Sequence, residues 1–193
     1  MKRIFITNGS ATNGKDTFAK SLGKYIATYK YSSIDLVKNM FEFAGIPKEP
    51  KTEEKRLLYS DTKDRLTEYD DIPFKDITSI VTDFKNDLID TDVLLIDIRE
   101  PKEIARAVKT FGAETILIRN PNVEKIESNH ADRDVENYNY DYIIENDGTL
   151  EQLEKVAKLF ANCLIKNDIL VLDGVSFQNN NNNITTIIKC SSY

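Results

Sequence analysis

Short apolar runs alternate with amphipathic stretches along this chain. Lys2 to Thr7, Tyr31 to Ile34, Thr91 to Ile98, Thr115 to Ile118 and Tyr140 to Glu145 are too short for helices, and this predicts five strands. Thr91 to Ile98, reading TDVLLIDI, is nearly continuous in apolar character, as a strand buried on both faces of a parallel sheet requires. Between the strands the period lengthens. Phe18, Leu22, Ile26 and Tyr29 follow Lys15 at helical spacing, and Leu36, Val37, Met40 and Phe41 form a second face running to Gly45 and Pro47. Pro73 introduces a helix with Ile77, Ile80, Val81, Phe84 and Leu88, and Pro101 one with Ile104, Ala105, Val108 and Phe111 that ends at Gly112. A last helix carries Leu153, Val156, Ala157, Phe160 and Leu164, opened by Thr149 and Gln152 at capping-box spacing. Strands alternating with helices predict an α/β domain.

Three stretches break this rhythm. Lys48 to Lys75 is the most charged part, with a helix predicted after Thr52 and Glu53 and Glu54 in its first turn. Arg56 and Lys63 stand seven residues apart on one face; with Lys51, Lys55 and Arg65 they make either a lobe over an anionic acceptor or a solvated helix face. Residues 120–136 show no core pattern, and a connection of this length reads as functional or disordered. They hold Lys125, His130 and Arg133, of which Arg133 is the better candidate to reach a bound anion. In the tail, Asp168 to Phe177 and Ile184 to Cys190 read as a hairpin across Asn179 to Asn183. Its edge suits packing on a sheet or pairing in a homodimer, whereas the asparagine run also fits a low-complexity end without fixed structure.

Composition narrows the classes. With 193 residues, 40% hydrophobic content and a net charge of −6, the expectation is one soluble α/β domain with a proper core. The acidic balance argues against a general nucleic-acid binder. The sequence shows no bilayer-length apolar stretch and no signal-peptide pattern, and Cys163 and Cys190 are too few for a disulfide framework, so a reducing cytoplasm is expected, with no membrane partner.

The chemistry concentrates at strand exits. The first strand runs into Gly9, with Gly14 and Lys15 following: a glycine-permitted turn, a helix N-terminus and a mobile cation, which is what a phosphate chain needs. The backbone from Gly9 through Asn13 to Thr17 would cradle the phosphates of ATP, with Lys15 bridging the β and γ groups. Asp16 replaces the usual hydroxyl residue after the lysine, and Thr17 comes next, so the candidates to hold Mg²⁺ are Asp16, Thr17 and Asp97, the last with a structural hydrogen bond to the loop as its alternative role. Asp97 ends the third strand and, by alternation, should share a face with Arg99, which could fork onto an acceptor phosphate. Arg119 closes the fourth strand. Asp35 stands at a predicted strand exit, to face the acceptor or to cap the helix that follows. Asn146 begins the turn Asn146-Asp147-Gly148-Thr149, which could pass close to the adenine.

Taken in order, Gly14-Lys15-Asp16-Thr17, Asp97-Ile98-Arg99-Glu100-Pro101 and Ile144-Glu145-Asn146-Asp147-Gly148-Thr149-Leu150 resemble the P-loop nucleoside monophosphate kinases, especially the phage-type deoxynucleoside monophosphate kinases and the related phosphomevalonate kinases. The resemblance spans about residues 1–165, and an acid after the lysine is found in those relatives too. It implies a three-layer P-loop NTPase fold over residues 1–166, with a five-stranded parallel sheet, the loop strand central and flanked by the strand of Asp97. It also implies a helical acceptor lobe around 36–75, a lid around 120–137, and a C-terminal extension from 167. The implied activity is ATP- and Mg²⁺-dependent transfer of a phosphoryl group to a phosphate monoester such as a nucleoside monophosphate. Lys15, Arg99, Arg119 and Arg133 would be catalytic, and Asp35, Arg56, Lys63 and Arg99 would face the acceptor. A non-nucleotide acceptor such as phosphomevalonate, or a nucleotide-binding regulator without catalysis, are the competing readings.

Overall fold

The computed structural model describes residues 2–10, 12–50, 52–123, 135–166, 175–180 and 183–190, with side chains left undescribed at 175–180 and 183–185. The chain divides into two compact units, Met1–Lys30 with Asp90–Tyr193, and Tyr31–Ile89.

The first unit is built on a sheet in the order β2-β3-β1-β4-β5-β7-β6. β1 (Arg3–Asn8) lies between β3 (Val93–Asp97) and β4 (Glu114–Arg119), both parallel to it. The loop strand is therefore central and flanked by the strand of Asp97, the order expected. Because β3 and β4 lie on opposite sides of β1, the strand order reverses there, the point of a parallel sheet beyond whose carboxyl ends ligands bind in α/β folds.

Seven strands pair among the described residues, rather than five. The tail supplies the difference: β6 (Val175–Asn180) and β7 (Asn183–Lys189) form an antiparallel hairpin, and β7 adds in parallel to β5 (Tyr142–Glu145) with Ile144 opposite Ile188. Ile187 and Ile188 are buried, so this segment covers an edge that β5 would otherwise expose.

α1 (Lys15–Leu22) and α6 (Leu150–Lys166) pack on one face of the sheet. Phe5, Phe18 and Phe160 meet edge to face there at 5.5 and 6.0 Å, with Tyr142 5.5 Å from Phe160. On the other face of the sheet Ile6, Leu94, Ile96 and Leu117 are equally buried, as a doubly covered parallel sheet requires. α5 (Pro101–Phe111) contributes Ile104, Ala107 and Phe111 to the interior, whereas Ala105, expected there, is exposed. The capping box at α6 is present: Gln152 N–H donates to Thr149 Oγ1 at 3.3 Å, and Thr149 N–H to Gln152 Oε1 at 2.7 Å.

Two boundaries differ from expectation. α1 stops at Leu22, where Gly23 N–H donates to the Ala19 carbonyl, so Ile26 and Tyr29 lie outside it. β2 then runs over Thr28–Ser32 instead of beginning at Tyr31, and Asp35 opens α2 (Asp35–Phe43) rather than standing at a strand exit.

The second unit is helical: α2, α3 (Glu53–Asp70) and α4 (Ile72–Lys85). Thr52 caps α3 by accepting the Lys55 N–H at 3.2 Å. Tyr59 and Lys63, one turn apart, are the buried residues of α3, and the Tyr59 ring lies 5.4 Å from Phe41. Leu88, expected on the inner face of α4, falls beyond its end and is exposed. No described helix is long and apolar enough to cross a membrane.

Candidate functional site

The site grows from the end of β1. Thr7 and Asn8 are buried, and the register sets Thr7 beside Asp97, whose carboxylate accepts the Thr7 hydroxyl. After Asn8 the chain turns through Gly9, where an added Cβ would run into the Ile118 carbonyl oxygen, a backbone atom with little room to yield. Thr12 and Gly14 take left-handed backbone angles, φ 67° and 94°. Gly14 is followed at once by helical Lys15, the left-then-right pairing from which main-chain N–H groups can converge on an anion. The N-cap of α1 is Gly14, which has no side chain to cap the first-turn N–H groups, the donors that a helix N-terminus can offer an anion.

Gly14 has a second reason to be glycine. Asn146, at the exit of β5, donates its Nδ2 to the Asn13 carbonyl at 3.1 Å, and a Cβ on Gly14 would lie 2.5 Å from that nitrogen. Asn146 is itself anchored by its N–H on the Arg119 carbonyl at 2.8 Å. A residue expected near the nucleotide base thus supports the loop backbone.

Charge gathers where α1 begins. Lys15 Nζ pairs with Asp97 Oδ2 and lies 3.5 Å from Asp16 Oδ1. Lys30 on β2, which sequence reading passed over, pairs with Asp16 Oδ1 and lies 2.9 Å from the same Asp97 oxygen. Partial burial pushes the Asp16 carboxyl upward, but Lys15 and Lys30 outweigh it and hold the group down at about 2. Partial burial lowers the Lys30 ammonium, and Asp97 and Asp16 more than reverse this, so it stays fully charged. Thr17 is exposed on the same helix.

Asn8 ties this centre to its surroundings. Its Nδ2 donates to the Arg99 carbonyl at 3.0 Å and to the Tyr140 hydroxyl at 2.7 Å, while its Oδ1 accepts the Gly9 N–H at 2.8 Å. Tyr140 in turn donates to the Val135 carbonyl at 2.7 Å, and burial pushes its phenol well above the usual range. Thr7, Asn8 and Tyr140 were not singled out from sequence, since a buried polar residue at a strand end reads there as ordinary core.

β3 ends at Asp97, so the alternation that would set Arg99 on its face does not extend that far; Arg99 is half-buried just beyond the strand. Arg119, opposite Glu145 in the register, is paired with that carboxylate, which Lys189 also approaches at 3.5 Å. In the helical unit, Asp35 accepts the Ser32 N–H at 2.9 Å and pairs with Lys38 at 2.8 Å. Arg56 is exposed and Lys63 buried, although they share a face of α3; Lys55 is spent on the Pro47 carbonyl at 2.7 Å. Lys125, His130 and Arg133, and with them most of the expected lid, lie outside the described residues, as does Lys51.

For a divalent cation the carboxylates of Asp16 and Asp97, which share the Lys15 and Lys30 ammonium groups, could serve as donors, with Thr17 next to Asp16 in the chain. No group of three or more His, Cys, Asp or Glu side chains gathers among the described residues. One or two carboxylates completed by phosphate oxygens are how Mg²⁺ is ordinarily held, so these residues fit a metal that arrives with a nucleotide and not a caged structural ion.

No protein-family model and no curated protein matches the chain. Among solved structures it is similar to an unliganded sugar kinase from Janibacter sp. HTCC2649, at 11% identity and a TM-score of 0.43 over 81% of this chain and 92% of that one. It is also similar to shikimate kinase from Aquifex aeolicus, at 14% identity and a TM-score of 0.43 over 83% of this chain and 98% of that one.

Proposed function

We propose that this chain is a phosphotransferase that moves the γ-phosphoryl group of ATP onto a phosphate monoester, with a nucleoside monophosphate as the first acceptor to test. The observation that carries the reading is the pairing of Lys15, first residue of the helix after the Gly9–Gly14 turn, with Asp97 on the neighbouring strand. A helix N-terminus, a positive-φ glycine turn, a lysine and a strand-end carboxylate are together the parts that phosphoryl transfer uses, because that chemistry is mostly positioning and charge neutralisation.

On this reading the loop amides and Lys15 bind the ATP phosphates, and the Lys15 ammonium leaves Asp97 to do so. Mg²⁺ would be held by Asp97 and Asp16, with Thr17 nearby; when bound it offsets charge on the phosphate oxygens. Arg99 orients the acceptor phosphate, and Arg119 and Arg133 neutralise charge as transfer proceeds. Arg56, Lys63 and Asp35 are the proposed acceptor contacts of the helical unit. The acceptor phosphate oxygen forms the new P–O bond, the β,γ-bridging bond of ATP breaks, and ADP leaves.

A coupled ADP-release assay over ribo- and deoxynucleoside monophosphates and small phosphate esters, with Mg·ATP, tests this directly. In Lys15→Ala we expect ATP affinity to fall by at least about thirtyfold, roughly 2 kcal/mol for a lost charged contact to phosphate, with the circular dichroism spectrum unchanged. Equal ATP affinity in the variant would remove the loop from the function. ATP binding without turnover on any acceptor would favour a regulator.

A further inference from the structure

The cluster at the head of α1 is charge-balanced without any ligand. Two carboxylates, Asp16 and Asp97, face two ammonium groups, Lys15 and Lys30, and both lysines converge on the same two oxygens, Asp16 Oδ1 and Asp97 Oδ2. The remaining Asp97 oxygen takes the Thr7 hydroxyl. Lys15 and Lys30 differ in what else they can do. Lys15 stands at the loop and is the lysine that a phosphate chain would draw away, whereas Lys30 belongs to β2 and is held by the sheet. Once Lys15 moves to a phosphate, Asp97 and Asp16 still have one cation between them, and the site has gained a single net negative charge facing a newly arrived metal–nucleotide pair.

Free divalent metal meets a different situation. To reach the carboxylates alone it must displace two tethered ammonium groups with nothing to receive Lys15. We infer that Lys30 is a positioning residue that closes the Asp16–Asp97 pair to free divalent cations, so that metal enters with nucleotide and not before it. This rests on the phosphotransferase reading above and adds an order of binding to it.

The test uses Mn²⁺ as the probe, with free Mn²⁺ followed by electron paramagnetic resonance in the absence of nucleotide, on the full chain. Removing one ammonium 2.9 Å from a carboxylate oxygen should tighten Mn²⁺ binding by about tenfold or more even at a water-like dielectric, where a unit-charge pair at this range is already worth that factor. We expect Lys30→Met and Lys30→Gln to bind Mn²⁺ at least tenfold more tightly than the parent chain, Lys30→Arg to behave like the parent, and Asp97→Asn added to Lys30→Met to cancel the gain. Having both the methionine and the glutamine variant keeps the test alive if one of them does not fold. No gain in either neutral variant, or the same gain in Lys30→Arg, overturns the inference. ATP titrated into the parent chain separates the two claims: binding there with no Mn²⁺ gain in the variants removes only the role of Lys30, whereas no ATP binding removes the phosphotransferase reading itself.

Discussion

Replacing Gly14 with alanine tests how the loop is held, and the structure sets its size. The residue sits at φ 94°, where an L side chain costs about 1–2 kcal/mol. Its Cβ would come within 2.5 Å of Asn146 Nδ2, so the carboxamide must rotate and give up its bond to the Asn13 carbonyl, about 1 kcal/mol more. The backbone of Asn146 cannot share the adjustment, because its N–H is tied to Arg119. Gly14→Ala should therefore cost about 2–3 kcal/mol, a fall of roughly 4–12 °C in melting temperature for a chain of this length. Asn146→Ala alone forfeits only the hydrogen bond, about 1 kcal/mol.

The double variant decides the matter. Its bond is already lost and its clash already relieved, so it should be no less stable than Gly14→Ala, giving a coupling of about 1 kcal/mol in urea or thermal denaturation. Additive losses, with the double variant near 3–4 kcal/mol, would mean that Asn146 does not brace the loop, and the reading would fail. Gly9→Ala should be worse than Gly14→Ala, because the atom in its way is a backbone carbonyl of β4 rather than the end of a side chain.

Phe160→Ala removes a fully buried ring that touches Phe5, Phe18 and Tyr142, and should cost about 3–5 kcal/mol by denaturant titration; a loss under 1 kcal/mol would mean the cluster is not packed as described. Burial pushes the Cys190 thiol from 9.0 to about 12 and the Tyr142 phenol from 10.0 to about 12, with Glu114 adding to the second. In both the folded chain holds its proton more tightly than the unfolded one, so their contribution is complete below pH 9 and is lost as pH rises to 12. Melting temperatures measured from pH 8 to 11 should fall, less steeply in Cys190→Ser, and a flat profile would contradict the burial of both groups.

What was legible in the sequence follows from what each signal needs. β1, β3 and β4 were readable because their burial on both faces demands an apolar run, and the loop because a left-handed turn with a backbone close by demands glycine. β2 was not. Thr28–Ser32 alternates tyrosines with Thr28, Lys30 and Ser32, a pattern short enough for Ile26 and Tyr29 to be absorbed into the period of the preceding helix. That displacement of three residues also moved Asp35 from the start of a helix to a strand exit, and left Lys30 in a gap between elements. Arg99 lies past the last ladder residue, Asp97, where strand alternation no longer says which way a side chain faces.

The same contrast explains why the loop could be found and its charge partners could not. Gly9, Gly14 and Lys15 are neighbours in sequence, so their spacing is itself the signal. Asp16, Lys30 and Asp97 meet only because β2 and β3 lie on the same side of β1, a fact of strand order that no local pattern encodes. Once the order is known, the register does the rest: Thr7 falls beside Asp97, Arg119 beside Glu145 and Glu145 beside Lys189, and three polar pairs follow from three lines of strand pairing. A charged residue at the carboxyl end of one parallel strand should therefore be read together with its register partner before any role is given to it alone. By that rule Arg119 belongs first to Glu145, and a catalytic role for it requires that Lys189 keep Glu145 compensated when Arg119 leaves.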